Sequence, residues 1–277
     1  SGDITGLATV NAGSGNVTLN SAGAIVDDGS SGTVITGGVL TADAAGAITI
    51  DSTVTSANIS TSAAGAVDLD ESDAITLTDV DTNDGSITVD AGGLITATDV
   101  VASGGSGDSV TLSTTTGGAV ATLVTGADAV SITANAGDIT IGSVTATLGT
   151  LGVTATAGSI NDAADDNTAD FTAGGLISLT AQDEIGVLGS GSDLDLEFAA
   201  GSSVNVSTTG TGAIDLDGLG ALTLSDVDTV NGAITASSAG ALTVTDVASG
   251  TNGNIVLSTS SGDITGLATV NAGSGNV

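Results

Sequence analysis

The first seventeen residues of the chain, SGDITGLATVNAGSGNV, return unchanged as residues 261–277. The chain therefore holds one period of 260 residues and the beginning of the next. A perfect repeat of this length predicts a tandem array, in which each structural unit contacts mainly its neighbours. Such arrays commonly serve as scaffolds, stalks or filaments, so the repeat favours a mechanical or adhesive role over a catalytic one.

The charge of the chain is entirely of one sign. There is no Lys, Arg or His against 32 acidic residues, which gives a formal net charge of −32. Without cationic side chains, each carboxylate must be solvated, capped by backbone N–H groups, screened by salt or bound to a metal ion. The same charge repels nucleic acid and anionic membranes, so neither is expected as a partner.

Short alternating segments argue against the disorder that a high net charge often indicates. Segments such as GAITI (46–50), GSITVDA (85–91) and GALTVTDV (240–247) have the two-residue period of half-buried strands. Hydrophobic residues make up 40% of the chain and the mean hydropathy is +0.45, enough to build a core. No apolar run approaches the roughly 20 residues of a membrane-spanning helix, so no membrane insertion is expected.

Aliphatic residues that follow Gly-containing turns recur at alternating short and long intervals in the second half of the chain. The intervals indicate two main strands joined by unequal turns about every 21 residues, and stacking of such coils gives parallel strands in register. The sequence therefore predicts an all-β fold, a right-handed parallel β-helix (β-solenoid), the hand following from the rule for parallel crossovers. These residues are Ile214, Leu222, Ile234, Leu242, Ile255, Ile264 and Val277.

The composition agrees with this fold. A narrow interior between two facing sheets accepts Val, Ile, Leu and Ala and is expected to have little room for rings. Gly, Asn and Asp suit the corners, where positive φ angles are required. The absence of Pro fits a backbone in which nearly every N–H donates to a neighbouring coil.

An internal repeat supports a single continuous solenoid over residues 1–277. Residues 63–100 align without a gap to residues 210–247, at an offset of 147 positions. Between these blocks, the segment NDAADDNTAD (161–170) breaks the strand pattern and is expected to form an extruded loop. No linker and no second domain are expected.

The recurring G-x-[IV]-T-[LVA] turns and the richness in Gly, Thr and Asp resemble the haemagglutinin-type repeats of large bacterial surface exoproteins. These include filamentous-haemagglutinin-like proteins and giant β-strand-repeat adhesins. The resemblance spans nearly the whole chain and implies a right-handed β-helical shaft that is secreted and mediates adhesion or biofilm cohesion. This chain departs from the family pattern in lacking basic residues, Tyr and Trp, so no receptor or carbohydrate contact is carried over.

Aspartates at a spacing of one coil are candidate metal ligands. Asp79 and Asp99 are separated by one coil length, and Asp226 and Asp246 repeat this spacing. In stacked coils each pair sits at one corner with carboxylates about 5 Å apart, where a proton or a cation relieves the repulsion. Ca²⁺ suits such irregular oxygen sites best. With the aspartates two residues further on, the candidate ligands are Asp79, Asp81, Asp99, Asp226, Asp228 and Asp246.

One other interpretation of these aspartates stays open, and a second is discounted. The simpler one is Asx-type capping of turn N–H groups with solvent screening. Residues 79–90 superficially resemble an EF-hand loop, but the glycine falls one place late and the pattern is not repeated in the second block. The same ambiguity applies to three further clusters: Asp68, Asp70, Glu71 and Asp73; Asp162, Asp165 and Asp166; and Asp193, Asp195 and Glu197.

The sequence argues against an enzyme. Nucleophilic triads that use His or Cys cannot form without those residues, and repeated copies of one Asp pattern suit structure better than a single tuned site. Ice binding is the alternative, because Thr-x-Thr pairs such as Thr76 and Thr78 recur. Asp79, Asp99 and Asp246 directly follow three of these pairs, which places charge beside the rows.

These observations predict a structural segment of a secreted extracellular filament, sheath or adhesin shaft, stabilised or bridged by Ca²⁺. Its expected partner is itself, through end-to-end stacking of coils and cation-mediated lateral contacts. Its expected location is extracellular or at the cell surface. The alternative is an ice-binding or other surface-binding solenoid that uses its Thr-x-Thr rows.

Overall fold

A computed structural model describes residues 2–30, 32, 35–164, 166–188, 193–199 and 201–277. The regular structure of these residues consists of 31 β-strands, all paired in parallel within one continuous sheet. Within the same ranges there is no helix, and hence none long and apolar enough to cross a membrane.

The strands are short, and most have three to five residues. The first group is β1 (Ile4–Leu7), β2 (Val10–Asn11), β3 (Val17–Ser21), β4 (Ile25–Asp27), β5 (Ile35–Ala44), β6 (Ile48–Ala64), β7 (Val67–Glu71), β8 (Ile75–Asp84), β9 (Ile87–Ala91) and β10 (Ile95–Ala97). The second group is β11 (Val100–Ala102), β12 (Val110–Thr114), β13 (Ala119–Ala121), β14 (Val124–Gly126), β15 (Val130–Ala134), β16 (Ile139–Ile141), β17 (Val144–Ala146), β18 (Leu151–Ala155), β19 (Ile160–Asp162), β20 (Phe171–Ala173) and β21 (Ile177–Ala181). The third group is β22 (Leu194–Phe198), β23 (Val204–Thr208), β24 (Ile214–Gly218), β25 (Leu222–Thr229), β26 (Ile234–Ser238), β27 (Leu242–Val244), β28 (Asp246–Ser249), β29 (Ile255–Leu257), β30 (Ile264–Thr265) and β31 (Thr269–Asn271).

Each coil from β9 onward has one five-residue strand followed by two three-residue strands, as far as β20. Strand β12 stacks on β9, β13 on β10 and β14 on β11, which defines a first, a second and a third column. The sequence predicted two main strands per coil. The structure divides the second of these at a two-residue bend, although β8 runs through the bend and pairs with both β10 and β11.

The aliphatic residues point inward and form continuous rungs. In the first column Ile87 pairs with Val110, Val110 with Val130 and Val130 with Leu151, and all four are at most 1% exposed. The spacing of these pairs confirms an all-β parallel β-solenoid of about 21 residues per turn and about 12 turns. The right-handed winding stays a prediction.

One buried ring contradicts the expectation that the interior has little room for aromatic side chains. Phe171 is fully buried and stacks between Val144 and Leu196 in the third column. The expectation assumed two facing sheets. Three strands around the coil enclose a wider interior, so a phenyl ring fits where the facing rungs are aliphatic.

Stacked glycines allow adjacent coils to approach closely at one corner. A Cβ on Gly232 would lie 1.9 Å from the carbonyl oxygen of Gly212, and a Cβ on Gly253 would lie 1.9 Å from that of Gly232. The Oγ of Thr229 donates to the Gly232 carbonyl at 2.9 Å and fixes the same corner. A side chain at these positions has no space, because the preceding coil's backbone occupies it.

Two coils are longer than the others. Leu151 pairs with Ile177, 26 positions on, and Ile177 pairs with Val204, 27 positions on. By position in the sequence the additional residues fall in two inserts, 163–170 and 186–193, of which residues 165 and 189–192 lie outside the described residues. The first matches the predicted loop 161–170, except that β19 extends through Asp162; Asp165 lies outside the described residues.

Candidate cation-binding site

The paired aspartates of the two blocks lie on adjacent rungs. Val80 pairs with Val100, and the Val80 N–H donates to the Asp99 carbonyl at 3.0 Å, so Asp79 and Asp99 occupy adjacent rungs. In the second block Val227 pairs with Val247, which places Asp226 on the rung next to Asp246. Adjacent rungs are separated by about 4.8 Å, so each pair stacks two carboxylates at close range.

Asp81 and Asp228 complete the two clusters. Burial raises the pKa of Asp81 to about 6, with further increases from the negative charges of Asp79 and Asp99 and from a hydrogen bond to Asp79. The pKa of Asp228 is raised by burial and then by its contacts with Asp226 and Asp246. The structure therefore brings the six predicted ligands together as two groups of three. Whether they bind a metal ion stays a prediction.

Two asparagines belong to these clusters and were missed. Asn58 pairs with Asp79, and its Nδ2 donates to Asp79 Oδ2 at 3.4 Å. Asn205 pairs with Asp226, and its Oδ1 is buried without a hydrogen-bond partner among the described residues. Asn58 and Asn205 are separated by the same 147-position offset as the aligned blocks. Extending that alignment upstream would have found both.

The two clusters face different sides of the solenoid despite their sequence similarity. Val80 belongs to the third column, whereas Val227 stacks on Val206 in the first column. The two inserts lengthen their coils, so the offset between the aligned blocks does not correspond to a whole number of turns. Equivalent residues of the repeat are thus displaced by one strand around the coil.

A third acidic group, the acidic ladder, consists of Asp170, Asp195 and Asp217 on consecutive rungs. Asp195 pairs with Asp217. The Asp170 N–H donates to the Asp195 carbonyl at 3.0 Å, and the Asp195 N–H donates to Asp170 Oδ2 at 2.9 Å. Asp193 adjoins the ladder: Asp193, Asp195 and Asp217 each place one carboxylate oxygen within 4.8 Å of the others.

The acidic ladder continues the line of the first predicted cluster. Each residue of the two groups lies immediately before a buried residue of the third column. Along this line, two uncharged residues lie between the first predicted cluster and the acidic ladder. In chain order the line reads Asp79, Asp99, Leu123, Ser143, Asp170, Asp195 and Asp217.

The ladder is buried more deeply than either predicted cluster. Asp170 is 3% exposed and Asp195 is 5% exposed. Burial raises the pKa of Asp195 to about 7, and the negative charges of Asp193 and Asp217, then those of Asp162 and Asp166, raise it further. Burial also raises the pKa of Asp170 to about 8, although the N–H of Asp195 acts in the opposite direction.

Many aspartates elsewhere cap backbone N–H groups, as the simpler interpretation expects. Asp27 Oδ1 accepts from the Gly29 N–H at 2.9 Å, and Asp108 Oδ2 accepts from the Gly105 N–H at 2.7 Å. Asp162 and Asp166 cap turns of the first insert. Within the described part of the chain, none of the six predicted ligands accepts a hydrogen bond from a backbone N–H, so capping does not account for them.

The remaining acidic clusters of the sequence divide between capping and exposed stacking. Glu71 is buried and accepts hydrogen bonds from Ser52, Val54 and Asp73. Asp70 stacks between Asp51 and Asp90 in a more exposed row. Burial raises the pKa of Asp68, and the negative charges of Asp70, Asp90 and Asp27 raise it further. Glu197 is exposed. The EF-hand-like segment 79–90 comprises the end of β8, the two residues that connect it to β9, and most of β9.

The chain was compared with protein-family models, with curated proteins and with solved structures, and none of the three comparisons gives a match. The arrangement of carboxylates and the fold therefore carry the functional argument.

Proposed function

We propose that this chain is a structural segment of a secreted extracellular filament, sheath or adhesin shaft. The observation that carries the proposal is the parallel stacking of the described strands from Ile4 to Asn271. Each coil binds the next through backbone hydrogen bonds and aliphatic rungs, so load along the axis is shared by every coil. At about 4.8 Å per coil, about 12 coils make a rod about 60 Å long.

The end coils support continuation by stacking. Ile4 and Val10 at one end are only half-buried, as are Ile264 and Val270 at the other, although their positions correspond to buried rungs elsewhere. Exposed rungs and unpaired strand edges are surfaces onto which a further coil can stack. The chain itself is thus the proposed partner, and the extracellular location follows from the resemblance to bacterial surface exoproteins.

The charge supports a second part of the proposal. A net charge of −32 without Lys, Arg or His keeps rods apart at low salt. Ca²⁺ at the groups of Asp79 and Asp226 neutralises stacked carboxylates and bridges neighbouring rods. Catalysis is not part of this proposal, because no His- or Cys-based nucleophile exists in the sequence.

Ice binding has less support. An ice-binding face needs an unbroken row of Thr, but the row through Thr76 and Thr96 continues with Val120 before Thr140 and Asn161. A thermal-hysteresis measurement separates the two functions: a shaft segment leaves the freezing point of the solution unaltered beyond the colligative effect.

Cryo-electron microscopy of the purified chain tests the shaft function. The expected result at high concentration is end-to-end filaments with an axial repeat of about 4.8 Å. If Ca²⁺ bridges rods, bundles form with millimolar Ca²⁺ and separate in chelator. Particles that stay single and randomly oriented under all conditions would contradict self-association.

A further inference from the structure

The carboxylates that immediately precede β20 and β22 belong to one group. Asp170 precedes β20 and Asp193 precedes β22; Asp170 accepts a hydrogen bond from the Asp195 N–H, and the charge of Asp193 acts on Asp195. Asp162 immediately precedes the first insert, and its charge acts on both Asp170 and Asp195. Asp162, Asp170 and Asp193 therefore all lie close to Asp195.

Asp195 lies at the centre of this group and is incompletely paired. It is 5% exposed, and its Oδ1 is a buried atom without a hydrogen-bond partner among the described residues. A buried carboxylate oxygen that accepts no hydrogen bond is strongly destabilising unless the charge is removed or compensated. Capping does not explain Asp195, in contrast to Asp162 in the same region.

Compensation by a cationic side chain is impossible, because the sequence contains no Lys, Arg or His. Ser237 donates its hydroxyl to Asp217 Oδ1, which satisfies that carboxylate in part. Two means of compensation remain for Asp195: a proton or a bound cation.

The spacing of the oxygens favours a cation. One oxygen each from Asp193, Asp195 and Asp217 lies within 4.8 Å of the other two. Three carboxylate oxygens this close together can bind a single ion. Ca²⁺ suits such a site because it accepts an irregular shell of oxygens, whereas Mg²⁺ demands near-ideal octahedral geometry.

We propose that Asp193, Asp195 and Asp217 bind a divalent cation, Ca²⁺ in particular, which links β22 to β24 on the adjacent rung. Asp195 and Asp217 supply oxygens from adjacent rungs, and Asp193 supplies one from the position immediately before β22. Water completes the shell, since Ca²⁺ takes six to eight oxygens. The site is independent of the shaft function: a chain that binds Ca²⁺ here need not form filaments.

Calorimetric titration of the metal-free chain with CaCl₂ tests the site, with Asp195→Asn as the principal variant. The substitution keeps the shape of the side chain and removes the buried charge, so the expected result is the loss of one bound Ca²⁺ per chain. Asp193→Asn is expected to give the same loss of one bound Ca²⁺. Because Asp193 is only half-buried, this variant replaces Asp195→Asn as the test if Asp195→Asn fails to fold. Asp84→Asn changes the charge equally on an exposed residue of a distant coil and is expected to leave the stoichiometry unchanged.

The titration also distinguishes this site from the predicted clusters. Asp99→Asn removes a charge from the group around Asp79 and is expected to leave the ladder site intact. The proposal is overturned if the wild-type chain takes up no Ca²⁺ at millimolar concentration, or if Asp193→Asn retains the full stoichiometry and affinity. Neither of these results depends on whether the chain forms filaments.

Discussion

Asp195 and Asp217 lie on adjacent rungs of one parallel ladder, and an oxygen of each carboxylate lies within 4.8 Å of the other. A solenoid in strict register converts a spacing of one coil in the sequence into contact in space. In a chain without cationic side chains, every such pair of acids is a repulsion that folding must overcome. The sites of stacked carboxylates are therefore where we expect changes of pH to act on the stability of this protein, and where the proposed cations bind.

The stability of the metal-free protein is expected to fall as the pH rises from about 5 to about 8. The pKa values of Asp81, Asp195 and Asp170 are raised to about 6, 7 and 8, against about 3.9 in an unfolded chain. In this range the folded state binds more protons than the unfolded state, so the free energy of unfolding decreases with pH.

Thermal unfolding followed by far-ultraviolet circular dichroism measures this dependence, since the chain lacks Trp and Tyr. The midpoint is expected to be higher at pH 5 than at pH 8 in metal-free buffer of constant ionic strength. Asp195→Asn is expected to flatten the dependence. A midpoint that rises with pH would show that the raised pKa values do not govern stability.

Phe171→Ala is expected to destabilise the protein by about 3–5 kcal/mol, the usual effect of emptying a buried aromatic site. Phe171 is fully buried between Val144 and Leu196, so removal of the ring leaves an enclosed space. Phe198→Ala is the matched control, because this ring is only half-buried. Chemical denaturation compares the two, and equal losses would contradict the buried position of Phe171.

Gly232→Ala is expected to destabilise the stack by roughly 1–3 kcal/mol or more. The new Cβ would lie 1.9 Å from the Gly212 carbonyl oxygen, so the two coils must separate at this corner. Gly152→Ala is the control: no heavy atom lies within 4 Å of its Cβ, and a gain of about 0.4–1 kcal/mol is expected from reduced freedom of the unfolded chain. If the denaturation midpoints of Gly232→Ala and Gly152→Ala shifted in the same direction, this would contradict the strand register described for these coils.

Much of the fold could be predicted because coil stacking is a local rule repeated many times. Aliphatic residues at a two-residue period identify the strands, and their recurrence about every 21 residues identifies the coil. The bend that divides β10 from β11 could not be seen, since the bend residues Thr98 and Asp99 also suit an extended strand. This bend produces the third strand of the coil, and the third strand widens the interior enough for Phe171. Because the bend was not predicted, the buried position of Phe171 was not predicted either.

The candidate sites were predictable only where the coil length is regular. Asp79 and Asp99 are one regular coil apart, so their stacking was evident from the sequence. Asp170 and Asp195 are separated by more than one regular coil because of the second insert, and this longer spacing concealed the acidic ladder. Where a coil carries an insert, the strand pairing beyond it depends on which residues form the insert. The alternation of polar and apolar side chains does not identify those residues.

The most direct test of the shaft function is the length of a chain that carries two successive 260-residue periods, measured by small-angle X-ray scattering and electron microscopy. A continuous shaft predicts a single straight rod about 120 Å long, twice the roughly 60 Å of one period, with no bend at the junction. Two compact bodies joined at variable angles would contradict the account, because the coils of one period would then not stack on those of the next.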